Sequence, residues 1–530
     1  MRTDIKQGRN SVLNFMHYAL CIMHYFLIAL FCTPDAYADS IPMRTCRPTL
    51  ENVKIKKFKN ERLSSPYKQG SRSFLLNEAK GSCYIGERHQ LVVLVSFNDL
   101  SFKNDDPLPL WNRIFNERGF NEPPFRGSVS DYFLDQSYGH FHLTFDLYHV
   151  ALEESRAKYR STISQDENSQ YLVQDIVGVL RTKDIDWSQY DWNDDGYVNQ
   201  LLIIFPGLGM HNGGDSNSIW PHQWWLSQHT DSTGLHPEPL IVGSGDATYQ
   251  VDCYCCANEL MKRETDSSFG IICHEYSHCF GLPDFYNNST TYVKEWDVMD
   301  FGNYNGNGYC PPNYSAHERM LMGWLTPTEL ATPTVVRDMP STDTLPEAYI
   351  IFNNANKSEY YIVENRQQTG WDTHLPGSGI LVFHVVFDEM EWAIGHPNSV
   401  TNKRYTIFPA NNIALTTATA GWAYPYEQND SLTNYSSPAS TLYYENTDGT
   451  NLMSKPLRNL KIENGLASFS FMDADSSSYI EELSTLKSPS GDLEGFLYDL
   501  TGRQIVNGKS VNSKLSRGIY ISNGKKIFVR

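Results

Sequence analysis

The stretch that most constrains the fold of this 530-residue chain is SSFGIICHEYSHCFGLPD, residues 267–284. Its first part is apolar, and Ser267 or Ser268 can serve as a helix N-cap. Gly281 follows the last residue of the apolar run, where helices commonly end. The pattern therefore predicts a short, buried helix that stops abruptly before residue 284.

Two histidines on this predicted helix are spaced for metal binding. His274 and His278 are four residues apart, so their side chains project from one face of the helix. Two neutral imidazoles at this spacing can hold one zinc ion. Glu275, next to the first histidine, is placed to act as a general base toward water. The alternative is a buried helix with two structural histidines.

Asp284 is the predicted third metal ligand. Continued helix would rotate this residue by about 240° from His278 and lift it by about 9 Å, out of reach of the ion. Gly281 permits the positive φ of a break, and Pro283 prevents simple continuation. The chain can therefore fold back and bring Asp284 to the zinc. Glu318, in YSAHERMLMGWL, is the rival ligand.

The spacing His-Glu-x-x-His-x-x-Gly-x-x-Asp matches the metzincin pattern with aspartate in place of the last histidine. Met299, in WDVMDFG, then falls where a methionine turn would lie beneath the metal. The alternative for Met299 is an ordinary core side chain. Tyrosines that follow it are candidates for stabilising an oxyanion, and the sequence does not discriminate among Tyr304, Tyr309 and Tyr314.

A second metal site is predicted in DWNDDG, where Asp191, Asn193 and Asp195 have the spacing that begins a calcium-binding loop. The twelfth position of that loop is Leu202 rather than glutamate, and a strand follows instead of a helix. The stretch is therefore not an EF-hand. Its alternative is an aspartate- and asparagine-rich turn before a strand.

The N-terminus predicts export. Three basic residues precede the apolar run of residues 18–31, and Ala36-Tyr37-Ala38 forms a small-x-small cleavage site. We therefore expect a signal peptide over residues 1–38. The alternative is an uncleaved anchor, but the run is shorter than the ~20 apolar residues of a membrane span.

Export also bears on the cysteines, because secreted proteins commonly use them in disulfides. Eight cysteines follow the signal, an even number that favours such bonds: Cys46, Cys83, Cys253, Cys255, Cys256, Cys273, Cys279 and Cys310. Cys273 and Cys279 cannot bond each other on a straight helix, so we expect their partners in the CYCC cluster or at Cys310.

Differences in composition and in hydrophobic pattern divide the remaining chain into four parts. Residues 39–88 are polar and basic, as in a prosegment or leader. Residues 89–330 alternate strands with helices and predict an α/β catalytic domain. Residues 331–475 read as strands separated by turns, a β-rich region. Residues 476–530 predict a small β-module, because Asn523-Gly524 between two alternating segments is a strong hairpin signal.

The catalytic part resembles the immune inhibitor A family of secreted zinc metallopeptidases. The segments that carry the resemblance include LVVLVSFND, GSVSDYFLDQSYGHFHLTFDL, YDWNDDGYVNQLLIIFPGLG, SIWPHQ, HEYSHCFGLPDFY, WDVMDFG and SAHERMLMGWL. The resemblance implies zinc bound by His274, His278 and Asp284, with Glu275 as base. The last residues, with YDLTGRQI and GIYISNGKKIFV, are similar to type IX secretion sorting modules of Bacteroidetes proteins.

These observations predict an α/β, metzincin-like zinc endopeptidase followed by a β-rich region and a β-module. We expect protein or peptide substrates, a secretion machinery as partner, an extracellular or cell-surface location and no membrane span after processing. The net charge of −18 argues against nucleic acid as a partner. The alternative function is a surface binding protein or adhesin with a vestigial zinc site, although such a protein has no use for Glu275.

Overall fold

The computed structural model describes residues 84–474, apart from 161–167, 230–235, 246, 262–267, 288–289 and 414–418. Outside that range it describes the backbone of five short strands, at Lys56–Lys57, Leu497–Asp499, Gln504–Val506, Gly518–Ser522 and Lys525–Val529. The predicted signal peptide, almost all of the predicted prosegment, Cys46 and Cys83 lie outside the described residues.

The α-helices are α1 (Leu108–Asn116), α2 (Val129–Gln136), α3 (Ser169–Leu180), α4 (Phe269–His278), α5 (Asn305–Gly308), α6 (Ala316–Leu321) and α7 (Glu389–Ala393). The strands are β1 (Lys56–Lys57), β2 (Gly86–Ser96), β3 (Phe141–Ala151), β4 (Tyr197–Val198), β5 (Leu201–Leu208), β6 (His222–Trp225), β7 (Leu240–Ser244), β8 (Ala247–Val251), β9 (Cys253–Leu260), β10 (Thr328–Glu329), β11 (Thr334–Met339), β12 (Tyr349–Phe352), β13 (Glu359–Arg366), β14 (Gly379–Val386), β15 (Tyr405–Ile407), β16 (Leu457–Glu463), β17 (Leu466–Phe471), β18 (Leu497–Asp499), β19 (Gln504–Val506), β20 (Gly518–Ser522) and β21 (Lys525–Val529).

The mixed sheet that carries the site has the strand order β3-β2-β5-β9-β6 among the described residues. Strands β3, β2, β5 and β9 run parallel, and β6 pairs antiparallel with β9 at the edge. The central strands are buried on both faces, which explains their nearly continuous apolar sequence. The predicted strands in HQLVVLVSFND and YVNQLLIIFPGLG are confirmed as β2 and β5.

Two apolar cores lie on opposite faces of this sheet. Helix α3 packs on one face. Helices α1, α2 and α4 pack on the other, where α4 is buried along almost its whole length. The predicted helix in GIICHEYSH is therefore confirmed as α4. It begins at Phe269, and residues 261–268 separate it from the end of β9. Burial between sheet and neighbouring helices fixes the direction in which α4 presents its histidines.

The β-rich region is joined to the first part of the chain through a shared core. The strands predicted in AYIIFNN, EYYIVENR and GILVFHVVF are confirmed as β12, β13 and β14, which pair antiparallel. Trp371, from this region, stacks on Phe269 of α4 with ring centroids 5.8 Å apart. The described residues up to 472 form one compact unit, and the predicted division between residues 330 and 331 falls inside it.

A buried ionic network also crosses that division. Arg366 at the end of β13 donates two hydrogen bonds to Asp372, of 2.7 and 2.6 Å, and one of 3.0 Å to Glu364. The same guanidinium donates to the backbone carbonyl of Asn313, which precedes α6. All three charged side chains are fully buried. Each charge therefore has its partners within the protein, as buried charges require.

Residues 473–530 form a second compact unit. Its described strands make a sheet in the order β19-β18-β20-β21. Ser522 pairs with Lys525 in the antiparallel ladder of β20 and β21. The hairpin residues predicted at Asn523-Gly524 lie outside the described residues, between the two paired strands, and the hairpin stays a prediction.

The disulfides expected from export are not formed among the described cysteines. The structure records no disulfide between any two of the described cysteines, which are Cys253, Cys255, Cys256, Cys273, Cys279 and Cys310. They lie on β9, on and after α4 and before α6, where they pack as small apolar side chains inside the cores. The Cys255 thiol hydrogen-bonds to Cys279 without a covalent bond. No described helix is long and apolar enough to cross a membrane.

Candidate metal centre

Helix α4 orients both of its histidines by hydrogen bonds to backbone carbonyls. Nδ1 of His274 lies 2.7 Å from the carbonyl oxygen of Val298. Nδ1 of His278 lies 2.7 Å from the carbonyl oxygen of Leu282. A carbonyl only accepts, so Nδ1 of each ring donates to it, and the other ring nitrogen, Nε2, is directed toward the site. This arrangement is typical of metal-binding histidines.

The turn after α4 brings Asp284 back to the two rings. Gly281 has φ of 85°, as its position after the helix predicts. Oδ1 of Asp284 then lies 3.2 Å from Nε2 of His274 and 3.3 Å from Nε2 of His278. That oxygen is buried and has no hydrogen-bond partner among the described residues. Three electron-pair donors therefore converge on one point.

Such a convergence requires a positive species. Without a metal, burial opposes charge on the His274 ring, but the Asp284 carboxylate outweighs burial and raises the pKa of His274 to about 9. Burial likewise works against the Asp284 anion, yet the two imidazoles hold its pKa well below the usual range. A proton can occupy the site, and a cation with nitrogen and oxygen ligands can replace it.

The spacing of the three atoms fits zinc. Ligand atoms about 2.1 Å from a tetrahedral zinc ion lie about 3.4 Å from one another. The two measured separations that involve Asp284 are within about 0.2 Å of that value, the tolerance expected of a metal site. Two imidazoles and one carboxylate also form a known donor set for catalytic zinc. The residues present therefore fit the predicted ion.

Glu275 lies beside the three converging atoms. Its carboxylate oxygen and the ring nitrogens of His274 and His278 all lie within 4.8 Å of one another. The side chain is buried, and burial raises the pKa of its carboxyl above the usual range. A carboxylate with raised proton affinity next to a metal is suited to accept a proton from water.

Met299 lies in the segment whose backbone forms a hydrogen bond with the ring of His274. The carbonyl of the preceding residue, Val298, accepts the hydrogen bond from the His274 ring. The carbonyl of Met299 accepts from the backbone N–H of Phe285, the residue after Asp284. Met299 is fully buried. The segment thus contacts both the His274 ring and the residue after Asp284, and a methionine turn at Met299 stays a prediction.

The three candidate tyrosines occupy different surroundings. Tyr304 is partly exposed, and burial together with the nearby Glu275 charge raises its pKa to about 12. Tyr309 is buried and packs edge-on against Phe125. Tyr314 is fully buried, and its hydroxyl hydrogen-bonds to Ser277. Tyr304 is therefore the one of the three whose position is open to a substrate beside Glu275.

The rival ligand Glu318 lies elsewhere. Its carboxylate accepts hydrogen bonds from the backbone N–H and hydroxyl of Ser315, in a capping box at the start of α6. It is fully buried, and burial together with the Asp297 charge raises the pKa of Glu318. The structure therefore gives Glu318 the role of a helix cap, and Asp284 rather than Glu318 faces the histidines.

The predicted calcium ligands lie in a turn whose side chains hydrogen-bond to one another and to the backbone of the same turn. Both carboxylate oxygens of Asp191 accept backbone N–H groups, from Asp195 and Gly196. Asp195 accepts from the side-chain amide of Asn193 and from the backbone of Tyr197. These are the contacts of an aspartate-rich turn. Calcium binding at Asp191, Asn193 and Asp195 stays a prediction.

Two side chains near the metal centre escaped prediction. Tyr286 stacks on the ring of His274 with centroids 6.3 Å apart, and burial together with the nearby Asp284 charge raises the pKa of its hydroxyl. His211 lies after β5, and neither ring nitrogen has a hydrogen-bond partner among the described residues. Tyr286 could have been found from its spacing of two residues from Asp284. No local signal identified His211.

Comparison with known proteins agrees with this geometry. Residues 90–322 match the family described as immune inhibitor A peptidase M6, catalytic domain. Immune inhibitor A from Bacillus thuringiensis subsp. alesti is 24% identical over 288 residues, which are 46% of this chain and 41% of the relative. Pre-pro-metalloprotease PrtV from Vibrio cholerae serotype O1 (strain M66-2) is 22% identical over 308 residues, 48% of this chain and 33% of the relative.

The chain therefore spans less than half the length of the curated relatives that it matches. The matched range includes β2 through α6 and all four residues at the metal centre. The part of the chain that brings His274, Glu275, His278 and Asp284 together is thus similar in sequence to the catalytic domain of M6 peptidases.

Proposed function

We propose that this chain is a secreted, zinc-dependent endopeptidase. The observation that carries the proposal is the convergence of two imidazole nitrogens and one carboxylate oxygen beside Glu275. His274, His278 and Asp284 would hold zinc, and Glu275 would act as general base. A purely structural zinc site is closed by four protein ligands, whereas a catalytic site has three and leaves one position open. The similarity to M6 peptidases supports the same assignment.

Each residue has a definite task in peptide hydrolysis. Zinc, when bound, would polarise the scissile carbonyl and make water more acidic. Glu275 would accept a proton from the attacking water and deliver it to the leaving amine. Tyr304 would donate a hydrogen bond to the oxyanion that forms from the carbonyl. Its ring packs on exposed Phe301, with centroids 5.2 Å apart, so the hydroxyl can be reached from solvent.

A protein-digestion assay tests the proposal directly. The purified chain should degrade casein when zinc is supplied. The assay uses both the full-length chain and a chain from which the prosegment has been removed. A chelator should abolish the activity, and zinc should restore it. Tight binding of zinc without cleavage of casein or of a diverse peptide library would instead favour the alternative, a surface binding protein with a vestigial site.

We further propose that export and processing precede activity. The proposed parts are a signal peptide (residues 1–38), a leader (39–88), a catalytic domain (89–330), a β-rich region (331–475) and a secretion module (476–530). N-terminal sequencing and intact mass of the secreted form check this division. The mature chain should begin at Asp39 or later and lack the last module. Retention of the native protein in the cytoplasm would contradict export.

A further inference from the structure

The third proposed ligand depends on residues that follow it by more than a hundred positions. The backbone N–H of Asp284 donates a 3.1 Å hydrogen bond to the carbonyl of Gly395, just after α7. The neighbouring ring of Phe285 stacks on Tyr405 of β15, with centroids only 3.8 Å apart. It also meets the edge of Trp392 in α7. The loop that carries Asp284 is thus seated on the β-rich region.

Asn398 is the polar centre of this contact. Its side-chain amide donates to the carbonyl oxygens of Phe285 and Tyr405, at 2.9 and 2.8 Å. Its side-chain oxygen accepts from the backbone N–H groups of Arg404 and Tyr405, both at 2.9 Å. An asparagine side chain has two N–H donors and two acceptor positions. Asn398 is fully buried, and all four are used.

The same residue is also bound through its backbone. The side-chain amide of Asn287 donates a 2.9 Å hydrogen bond to the carbonyl of Asn398. Segment 284–287 is therefore tied to the β-rich region at three points along its length: the N–H of Asp284, the carbonyl of Phe285 and the side chain of Asn287. Within the described part of the chain, no hydrogen bond of Asn398 reaches α4, which carries the two histidines.

We propose that Asn398 is a positioning residue for Asp284, so that the β-rich region completes the metal centre. This inference rests on the proposed zinc site. Zinc tolerates displacement of a ligand atom by only about 0.2 Å. The histidines owe their positions to α4, but Asp284 stands on a turn, and hydrogen bonds flanking its peptide unit must supply the equivalent constraint. Outer contacts of this kind typically change metal affinity about 10- to 100-fold.

The substitution Asn398→Asp isolates this role. It preserves the shape and the acceptor oxygen but replaces both amide donors with a lone-pair oxygen. That oxygen would face the carbonyls of Phe285 and Tyr405 and repel them. Asn365→Asp is the matched control. Asn365 is also fully buried, and its amide likewise donates to two backbone carbonyls, those of Met339 and Gly465, at 3.0 and 2.8 Å.

The experiment measures the zinc dissociation constant of the full chain by competition with a chromophoric chelator, below the unfolding temperature of each variant. We expect Asn398→Asp to weaken zinc binding about 10- to 100-fold. The zinc dissociation constant of Asn365→Asp should stay within about threefold of the wild-type value, even if its Tm falls as far as that of Asn398→Asp. Equal zinc affinity in both variants would overturn the inference and leave the zinc site standing.

A second variant keeps the test decisive if Asn398→Asp does not fold. Asn287→Ala removes one tie between the Asp284 loop and Asn398, and we expect zinc binding to weaken about three- to tenfold. Unchanged affinity in Asn287→Ala would then overturn the inference. A wild-type chain that binds no zinc would overturn the proposed function together with it, so the two failures are distinguishable.

Discussion

Oδ1 of Asp284 lies 3.2 Å from Nε2 of His274, although the proton of that ring is on the other nitrogen, where it is donated to a backbone carbonyl. Two electron-pair donors at this separation repel each other unless a cation or an added proton lies between them. The two atoms can therefore share a metal cation or an added proton, and the first prediction tests for the metal.

We expect Asp284→Ala to lower zinc affinity by more than about 100-fold, because only two protein ligands remain. Glu318→Gln is the control, since its carboxylate caps α6 and does not face the histidines. The control should keep its zinc while losing some stability. Metal analysis of both purified variants decides the matter. Loss of zinc from Glu318→Gln, with retention in Asp284→Ala, would reverse the ligand assignment.

Glu275→Gln should keep zinc but lose turnover on the order of 100- to 10,000-fold, because glutamine cannot accept a proton. The substitution preserves the size of the buried side chain, so folding should be little affected. Zinc content and casein hydrolysis are measured on the same sample. A variant with near wild-type activity would show that another group moves the protons.

Tyr304→Phe should reduce kcat about 100-fold with little change in KM, because a donor to the oxyanion acts mainly in the transition state. Tyr309→Phe is the matched control, since Tyr309 is buried against Phe125. Steady-state kinetics on one peptide substrate compares the two. If both variants retain full activity, Tyr304 has no part in stabilising the oxyanion.

His317 predicts a specific loss of stability in acid. It is fully buried among the rings of Tyr360, Trp392 and Tyr405, and burial lowers its pKa from 6.5 to about 3. The unfolded chain therefore takes up a proton below pH 6.5, whereas the folded chain does so only near pH 3. The free energy of unfolding must fall as the pH decreases between these values, by up to about 1.4 kcal/mol per pH unit.

Urea unfolding of metal-free protein at pH 7 and pH 4.5 measures this effect. Other groups also titrate in this range, so the informative quantity is the difference between wild type and His317→Phe. Between pH 7 and pH 4.5, we expect the free energy of unfolding of the variant to fall by about 2–3 kcal/mol less than that of the wild type. Equal losses in both proteins would show that His317 is protonated in the folded state.

Local sequence rules predicted much of the metal centre. The spacing of His274 and His278 on an apolar stretch is enough to specify α4, and Gly281 before Pro283 is enough to specify the turn that brings Asp284 back. Both signals act within a dozen residues. The strands of the main sheet are also local, because a strand buried on both faces has a continuous apolar sequence.

What could not be predicted depends on contacts distant in sequence. Nothing in the sequence around Asn398 indicates that its amide would meet the carbonyl of Phe285. The absence of disulfides among the described cysteines was missed for a similar reason, because export favours disulfides on average, whereas burial between sheet and helix decides each case. Glu318 was ambiguous because a glutamate three residues after a serine can cap a helix or bind a metal.

Arg366 has a consequence for self-digestion. Under the proposed function, one copy of this chain could cut another only where a segment of the second copy detaches from its fold. Detaching β13 from the segment before α6 would break the hydrogen bonds that Glu364, Arg366 and Asp372 make to the backbone of Asn313 and Ala316 and would leave those buried backbone groups without partners. The segments on the two sides of the predicted boundary at residue 330 are therefore held together by these hydrogen bonds. The rate of autolysis near residue 330 would then be set by the rate at which the whole unit unfolds. The lifetime of the protein would depend on the same unfolding rate.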